Sequence, residues 1–158
     1  MGQELYFLRS SEGKIVKDMV KYAYSEDMEN LNIFTDYYGL TTKDLGLYAL
    51  VDNKIAGAIW CRELNNNRDT PVLSVAILPE FKGEGIGAFM MNQFLQEAGA
   101  IYEQITIDIT HKPKAISFYE KFGFERVEDS GNLMMLKKLE KKEVFRPTDG
   151  YDASYWMD

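Results

Sequence analysis

Three glycines spaced two apart, Gly83, Gly85 and Gly87, follow an alternating apolar stretch, Leu73 to Pro79, and open onto an amphipathic helix carrying the apolar run Phe89-Met90-Met91. The side-chain period changes there from two to about 3.6 within a few residues. A strand must therefore feed directly into a helix through a turn for which glycine is the least strained residue. The same glycines let the main chain come close to a ligand, and a helix start leaves its first N–H donors without partners. With the positive end of the helix dipole, those donors form a site for a phosphate-bearing cofactor. Lys82 adds a positive charge at its rim.

Patterning elsewhere builds a sheet around this unit. Glu4 to Arg9 reads as a first strand, and Ser10-Ser11-Glu12 caps a helix over 13–24 with Ile15, Val16, Met19, Val20 and Ala23 inward. A second helix is expected over 29–38, stopping at Gly39. Strands are expected over 47–51 and 54–64, joined by Asp52-Asn53, a hairpin signal. After a loop come a strand over 72–78 and the main helix over 85–98, with Ile86, Met90, Phe94 and Ala98 along one stripe. A strand is expected over 104–109, then a helix over 113–122 with proline in its first turn and Gly123 at its end. Strands over 124–127 and 133–139 complete the series.

This order predicts one α/β domain of the mixed α+β kind over 1–139. Its sheet is mostly antiparallel, with helices on both faces and one central parallel strand–helix–strand crossover. Residues 140–158 change character: Arg146-Pro147 interrupts them, and Tyr151, Tyr155 and Trp156 sit among acids. That tail is expected to be either docked or disordered, and docking on a second copy would make a homodimer.

The 158 residues, 46% of them hydrophobic, suffice for one good core. A net charge of −7 argues against a general nucleic-acid binder, whose surface would be basic. No apolar run approaches the roughly 20 residues of a membrane span. Met1-Gly-Gln-Glu4 puts an acid where a signal peptide carries basic residues, and Tyr6 breaks the myristoylation pattern, so a cytoplasmic protein is expected. Cys61 and His111 are the single residues of their kinds, which leaves no internal disulfide and no cysteine- or histidine-rich metal site. Cys61, beside Trp60, reads as a small buried residue rather than an acyl carrier.

The glycine loop can be set against three patterns. No Walker string, Gly-x-x-x-x-Gly-Lys-Ser/Thr, occurs. Gly83-x-Gly85-x-x-Ala88 meets the loose dinucleotide fingerprint, with Asp108 further on at a strand end. That fold, however, begins at its glycine loop, whereas several hairpin-like strands precede this one. The third pattern is Gln/Arg-x-x-Gly-x-Gly/Ala, which Lys82-Gly83-Glu84-Gly85-Ile86-Gly87 fills conservatively. A second motif follows: Pro113-Lys-Ala115-Ile-Ser-Phe118-Tyr119-Glu-Lys121-Phe-Gly123-Phe124 matches Ala-x-x-x-Tyr-x-Lys-x-Gly-Phe. With both motifs in order, the chain resembles the GNAT superfamily of acetyl-CoA-dependent N-acetyltransferases. The likeness covers 4–139 as architecture and 73–124 as motif. It departs at Lys82, where family members often carry Gln or Arg, and at His111-Lys112-Pro113, where many carry Asn.

The resemblance implies a GNAT-like domain that takes acetyl-CoA as cosubstrate. Its acetyl group would go to a primary amine, small molecule or peptide, by direct attack in a ternary complex. The pantetheine arm would lie between the fourth and fifth strands, paired with the main chain of Val75, Ala76 and Ile77. A free N–H near Ile77 would polarise the thioester carbonyl. The diphosphate would rest on Lys82, Gly83, Glu84, Gly85, Ile86, Gly87 and Ala88, with Lys112 toward the cofactor's phosphate end. Tyr119 would protonate the departing thiolate: a thiol titrates near 8.5 and a phenol near about 10, so the phenol stays protonated at neutral pH. Spacing alone would place Tyr119 in the core with Ala115 and Phe122. No carboxylate sits on the fourth strand, which leaves the base unassigned; Glu63, Asp69 and Ser74 are the nearest polar candidates.

Between Tyr22 and Thr42 there are four acids and no lysine or arginine, interleaved with aromatics. Tyr22, Glu26, Asp27 and Tyr37 are the residues expected to meet a cationic amine through charge and cation–π attraction. A solvated helix face over core aromatics explains the same pattern equally well. Two other functions stay open on the sequence: a non-catalytic CoA-binding regulatory module, and a small dinucleotide-binding oxidoreductase.

Overall fold

The computed structural model describes residues 3–9, 12–23, 45–63, 70–109, 113–129 and 132–140. Its strands are β1 (Gln3–Phe7), β2 (Leu45–Val51), β3 (Lys54–Arg62), β4 (Val72–Ile77), β5 (Gln104–Asp108), β6 (Glu125–Asp129) and β7 (Asn132–Lys138). The helices are α1 (Gly13–Ala23), α2 (Ile86–Ala98) and α3 (Ile116–Lys121). The helix expected over 29–38 and the tail beyond Glu140 lie outside the described residues. Among the described residues, no helix is long and apolar enough to cross a membrane.

The strands form one sheet in the order β1-β2-β3-β4-β5-β7-β6, antiparallel everywhere except between β4 and β5. The central crossover is thus the one the sequence predicts. Asp52 and Asn53 turn β2 into β3 with φ of 50° and 67°, the left-handed pair that a two-residue hairpin demands. The final hairpin folds back so that β7, Asn132-Leu-Met-Met-Leu, lies beside β5, while β6, Glu125-Arg-Val-Glu-Asp, takes the outer edge. A charged outer strand discourages pairing with another chain.

Side-chain alternation divides the core between the two faces. Val16, Met19, Val20 and Ala23 of α1 cover Ala58, Trp60, Val72 and Ala76 on one face. Ile86, Met90, Met91 and Phe94 of α2 cover Leu47, Ile59, Cys61 and Leu73 on the other. Tyr119 and Phe118 of α3 join the second cluster. The expected helix over 113–122 is shorter than its motif: Pro113–Ala115 is a 3₁₀ turn, and the α-helix begins at Ile116. Gly123 closes it with φ of 91°, the left-handed geometry for which glycine is suited.

Candidate active site

The parallel pair at the centre of the sheet is barely a pair. Among the described residues, β4 and β5 meet at a single bridge, Val72 opposite Thr106, with the Thr106 N–H donating to Pro71 O at 3.0 Å. Beyond that point toward their C-terminal ends the two strands part. The register on the other side of β4 shows which of its main-chain groups face the opening. Leu78 donates its N–H to Ala56 O at 2.9 Å, so Ile77 and Gly57 form a non-hydrogen-bonded pair. By alternation, Ser74 and Ala76 turn their N–H and C=O toward β3, and Val75 and Ile77 turn theirs into the opening. Ala76 therefore differs from its two neighbours: its main chain is spent on Ala58, and its side chain is buried under α1.

The opening leads straight into the glycine loop. A 3₁₀ turn, Pro79–Phe81, lifts the chain off β4, and Lys82 N–H returns to Pro79 O at 3.3 Å. Gly83 and Gly85 follow with φ of 84° and 79°, and a Cβ built on either meets nothing within 4 Å. Gly85 is the N-cap of α2, in left-handed geometry and without any side-chain cap. The amides from Gly83 to Ala88 find no acceptor among the described residues. Six main-chain donors, the start of a helix of thirteen residues and open space on the glycine side make a fitting cradle for a diphosphate. On the loop's reverse side, Gln3 Nε2 donates to Glu84 O at 3.3 Å. Lys82 and Glu84 are exposed at the rim, whereas Ile86 is 1% exposed and points into the core.

Gly87 serves a different purpose from the other two glycines. A Cβ there would stand 3.0 Å from Ile77 Cδ1 and 3.3 Å from Phe118 Cζ. Its missing side chain lets α2, the end of β4 and α3 converge. Gly83 and Gly85 thus face open space, whereas Gly87 stands in close packing.

Tyr119 follows Phe118 on α3. Its ring meets Phe118 edge-on at 5.2 Å and Phe124 at 5.6 Å, and only 7% of the residue is exposed. Burial pushes its phenol far above the usual range, with no hydrogen bond or charge contributing. Its hydroxyl has no partner among the described residues. A buried hydroxyl without a partner is costly, and its presence in a core of methyl and phenyl groups calls for a reason.

The remaining candidates are placed as follows. Glu63 lies just past β3 and takes a long 3.5 Å contact from the Tyr102 hydroxyl. Ser74 is 1% exposed on the α1 face. Cys61 is 0% exposed among apolar side chains of the α2 face, where no acyl carrier could be reached. Tyr22 lines a groove of about 450 Å³ with Ile15, Asp18, Met19, Ile55 and Leu78, but the Lys21 ammonium already sits 5.1 Å from its ring centre. Asp69, Glu26, Asp27, Tyr37 and Lys112 lie outside the described residues. Among the described residues, no cluster of three or more His, Cys, Asp or Glu could hold a metal ion.

Comparison with known proteins agrees with this geometry. The family model described as the acetyltransferase (GNAT) domain matches residues 43–126. N-alpha-acetyltransferase 50 of Danio rerio is 29% identical over 98 residues, 59% of this chain and 58% of that protein, so the match spans under two thirds of the relative's length. Among solved structures, yncA of Salmonella typhimurium with its cofactor acetyl-CoA superposes with a TM-score of 0.71 at 15% identity, over 97% of this chain and 99% of that one. A phosphinothricin acetyltransferase from Sinorhizobium meliloti in complex with acetyl-CoA gives 0.67 at 16% identity, over 100% of both chains. At such identities these two likenesses concern the fold.

Proposed function

Since the chain belongs to the GNAT acetyltransferase family, we propose that it transfers an acetyl group from acetyl-CoA to a primary amine in a ternary complex. One observation carries this reading. Among the described residues, the main-chain groups of Val75 and Ile77 that face the wedge and the amides of the loop it opens onto have no partner. An extended arm with amide groups can add to β4 there as a strand would, while its diphosphate rests on the amides of Gly83 to Ala88. Both solved structures named above hold acetyl-CoA, which supports the same occupant here.

The cosubstrate supplies an activated acetyl thioester: as the amine nitrogen bonds to the carbonyl carbon, the carbon–sulfur bond breaks. The chain's own groups would assist as follows. Gly83, Glu84, Gly85, Ile86, Gly87 and Ala88 hold the diphosphate through N–H groups, and Lys82 adds a point charge at the rim. The Ile77 N–H and C=O pair with the arm as it enters. The Val75 N–H, two residues deeper, donates to the thioester carbonyl oxygen as negative charge grows on it. The sequence pointed to Ile77 for that role; Val75 suits it better because the arm, tethered at the open end, must pass Ile77 first. Tyr119, neutral throughout the physiological range, gives its proton to the departing sulfur. The proton released by the amine leaves through water, with no described carboxylate singled out as its acceptor.

The acceptor class rests on the sequence between Tyr22 and Thr42, whose acids Glu26 and Asp27 and aromatic Tyr37 suit a cationic amine. Tyr22 belongs to the same set, with the Lys21 ammonium 5.1 Å from its ring centre. The test is a calorimetric titration with CoA and acetyl-CoA, followed by thiol release across a panel of amines. Saturable binding with turnover on at least one amine is expected. Absent CoA binding would overturn the assignment, and binding without turnover on any amine would reduce the protein to a CoA-responsive module.

A further inference from the structure

A hydrogen bond reaches the glycine loop from β1, three strands away from β4 in the sheet. Gln3 opens β1 opposite Val51, at the rim where β2 turns into β3 and β4 gives way to the loop. Leu5 and Phe7 pack against the α2-side cluster, so alternation turns Gln3 to the same face. Its Nε2 donates to Glu84 O at 3.3 Å, and both residues are exposed. An exposed bond of that length adds little to the stability of the fold. Its effect is on one peptide plane.

In a trans peptide the C=O and the N–H point in opposite directions. Holding Glu84 O toward β1 therefore aims the Gly85 N–H away from it, to the open side of the loop. Gly85 cannot make that choice itself. At φ of 79° the plane stands one way, and turning it over would carry Gly85 to negative φ, which glycine adopts about as readily. The helix does not make it either: Gly85 has no side-chain cap, and the Phe89 N–H bonds Gly85 O, which belongs to the next peptide. Turned over, the plane would withdraw one donor and present a carbonyl oxygen in its place, its partial negative charge facing the ligand. On the acetyl-CoA reading, on which this inference rests, we propose that Gln3 is a positioning residue for the diphosphate. It holds the Glu84–Gly85 peptide with its N–H toward the cofactor, so the edge strand takes part in cofactor binding without touching the cofactor.

The experiment compares wild type, Gln3→Ala and Gln3→Glu with two acyl donors and one amine. Acetyl-CoA carries the diphosphate; acetyl-pantetheine carries the same arm without it. Gln3→Ala should raise the KM for acetyl-CoA and the calorimetric Kd for CoA by about threefold to tenfold, the weight of one hydrogen bond, with kcat at saturation unchanged. Its kcat/KM for acetyl-pantetheine should stay within about twofold of wild type. Gln3→Glu keeps the shape but cannot donate when ionised, so its loss should be at least as large. Because the side chain is exposed, Tm should shift by no more than about 2 °C in either variant. A merely structural residue would lower both donors together. Equal losses with the two donors, an unchanged Kd for CoA in Gln3→Ala, or a glutamate variant that matches wild type would overturn the role of Gln3 and leave the acetyltransferase reading intact. Where acetyl-pantetheine turns over too slowly to measure, the Kd for CoA and the split between KM and kcat decide. A wild type that binds no CoA would instead sink the parent reading, and this inference with it.

Discussion

Replacing Tyr119 by phenylalanine should stabilise the free protein while slowing its chemistry, two effects of opposite sign from one oxygen atom. The phenol is 7% exposed, packed edge-on against Phe118 and Phe124, and without a hydrogen-bond partner among the described residues. An unsatisfied buried hydroxyl costs about 1–3 kcal/mol, and the oxygen-sized void left by its removal offsets part of that. A net gain of about 1 kcal/mol follows, which for a chain of this length raises Tm by about 2–4 °C. The kinetic effect runs the other way: loss of a positioned acid should lower kcat by about 10²–10⁴-fold. The KM for acetyl-CoA should barely move, since on the proposed reading the main chain would hold the cofactor. Burial raises the phenol's ionisation well above its usual range, which fixes the sign of a pH effect. The folded state favours the neutral phenol, so its contribution to stability is complete below the unfolded value of about 10 and is lost as pH rises toward the folded one. Phenylalanine removes that loss, so the variant's advantage in Tm should widen in strongly alkaline buffer. Scanning calorimetry from pH 7 to 11 and steady-state thiol release supply both readings. A lower Tm together with an unchanged kcat would refute the reasoning and return Tyr119 to ordinary packing.

Two further expectations separate residues that look alike in the sequence. Gly85→Val should abolish CoA binding with a modest loss of stability, because its Cβ enters open space at φ of 79°, whereas Gly87→Val should destabilise the whole fold by driving Cβ against Ile77 and Phe118. Thermal melts paired with CoA titration distinguish them; equal Tm losses would show the glycines to be equivalent. Cys61→Ala should keep kcat within about twofold and lose stability instead, since the thiol is 0% exposed in the α2-side core. Loss of turnover in a folded Cys61→Ala protein would revive a covalent acyl route.

What the sequence disclosed and what it withheld have separate physical origins. Periodicity is local, so the strands, the main helix and the central crossover could be read from runs such as Leu73 to Leu78 and Ile86 to Ala98. Turn chemistry is also local: Asp52-Asn53 and Gly123 are marked by residues that tolerate positive φ. Pairings across the sheet are not local, and there the reading stopped. Nothing near Glu125 tells β6 to take the edge and β7 to slip in beside β5, where Met135 is fully buried. The glycine triplet was visible as a unit, but only three-dimensional convergence shows that Gly87 is crowded by Ile77 and Phe118 while Gly83 and Gly85 face open space.

Main-chain function is the most hidden of all, because it leaves no residue type behind. Val75, Ala76 and Ile77 are interchangeable to any pattern of hydrophobicity. Their roles are decided by parity: a single hydrogen bond from Leu78 to Ala56 fixes the register, and the register turns Val75 and Ile77 toward the wedge and Ala76 away. A one-residue slip of β3 against β4 would reverse the assignment and close the site without changing any side chain. What holds the base of the wedge is the Val72–Thr106 bridge, with Gln104 donating to Thr70 beside it, and not a residue type within β4. Substitutions in β4 that keep volume and β-propensity should therefore be tolerated at Val75, where a β-branched residue still presents the same N–H. Proline at that position removes the donor outright and should abolish turnover.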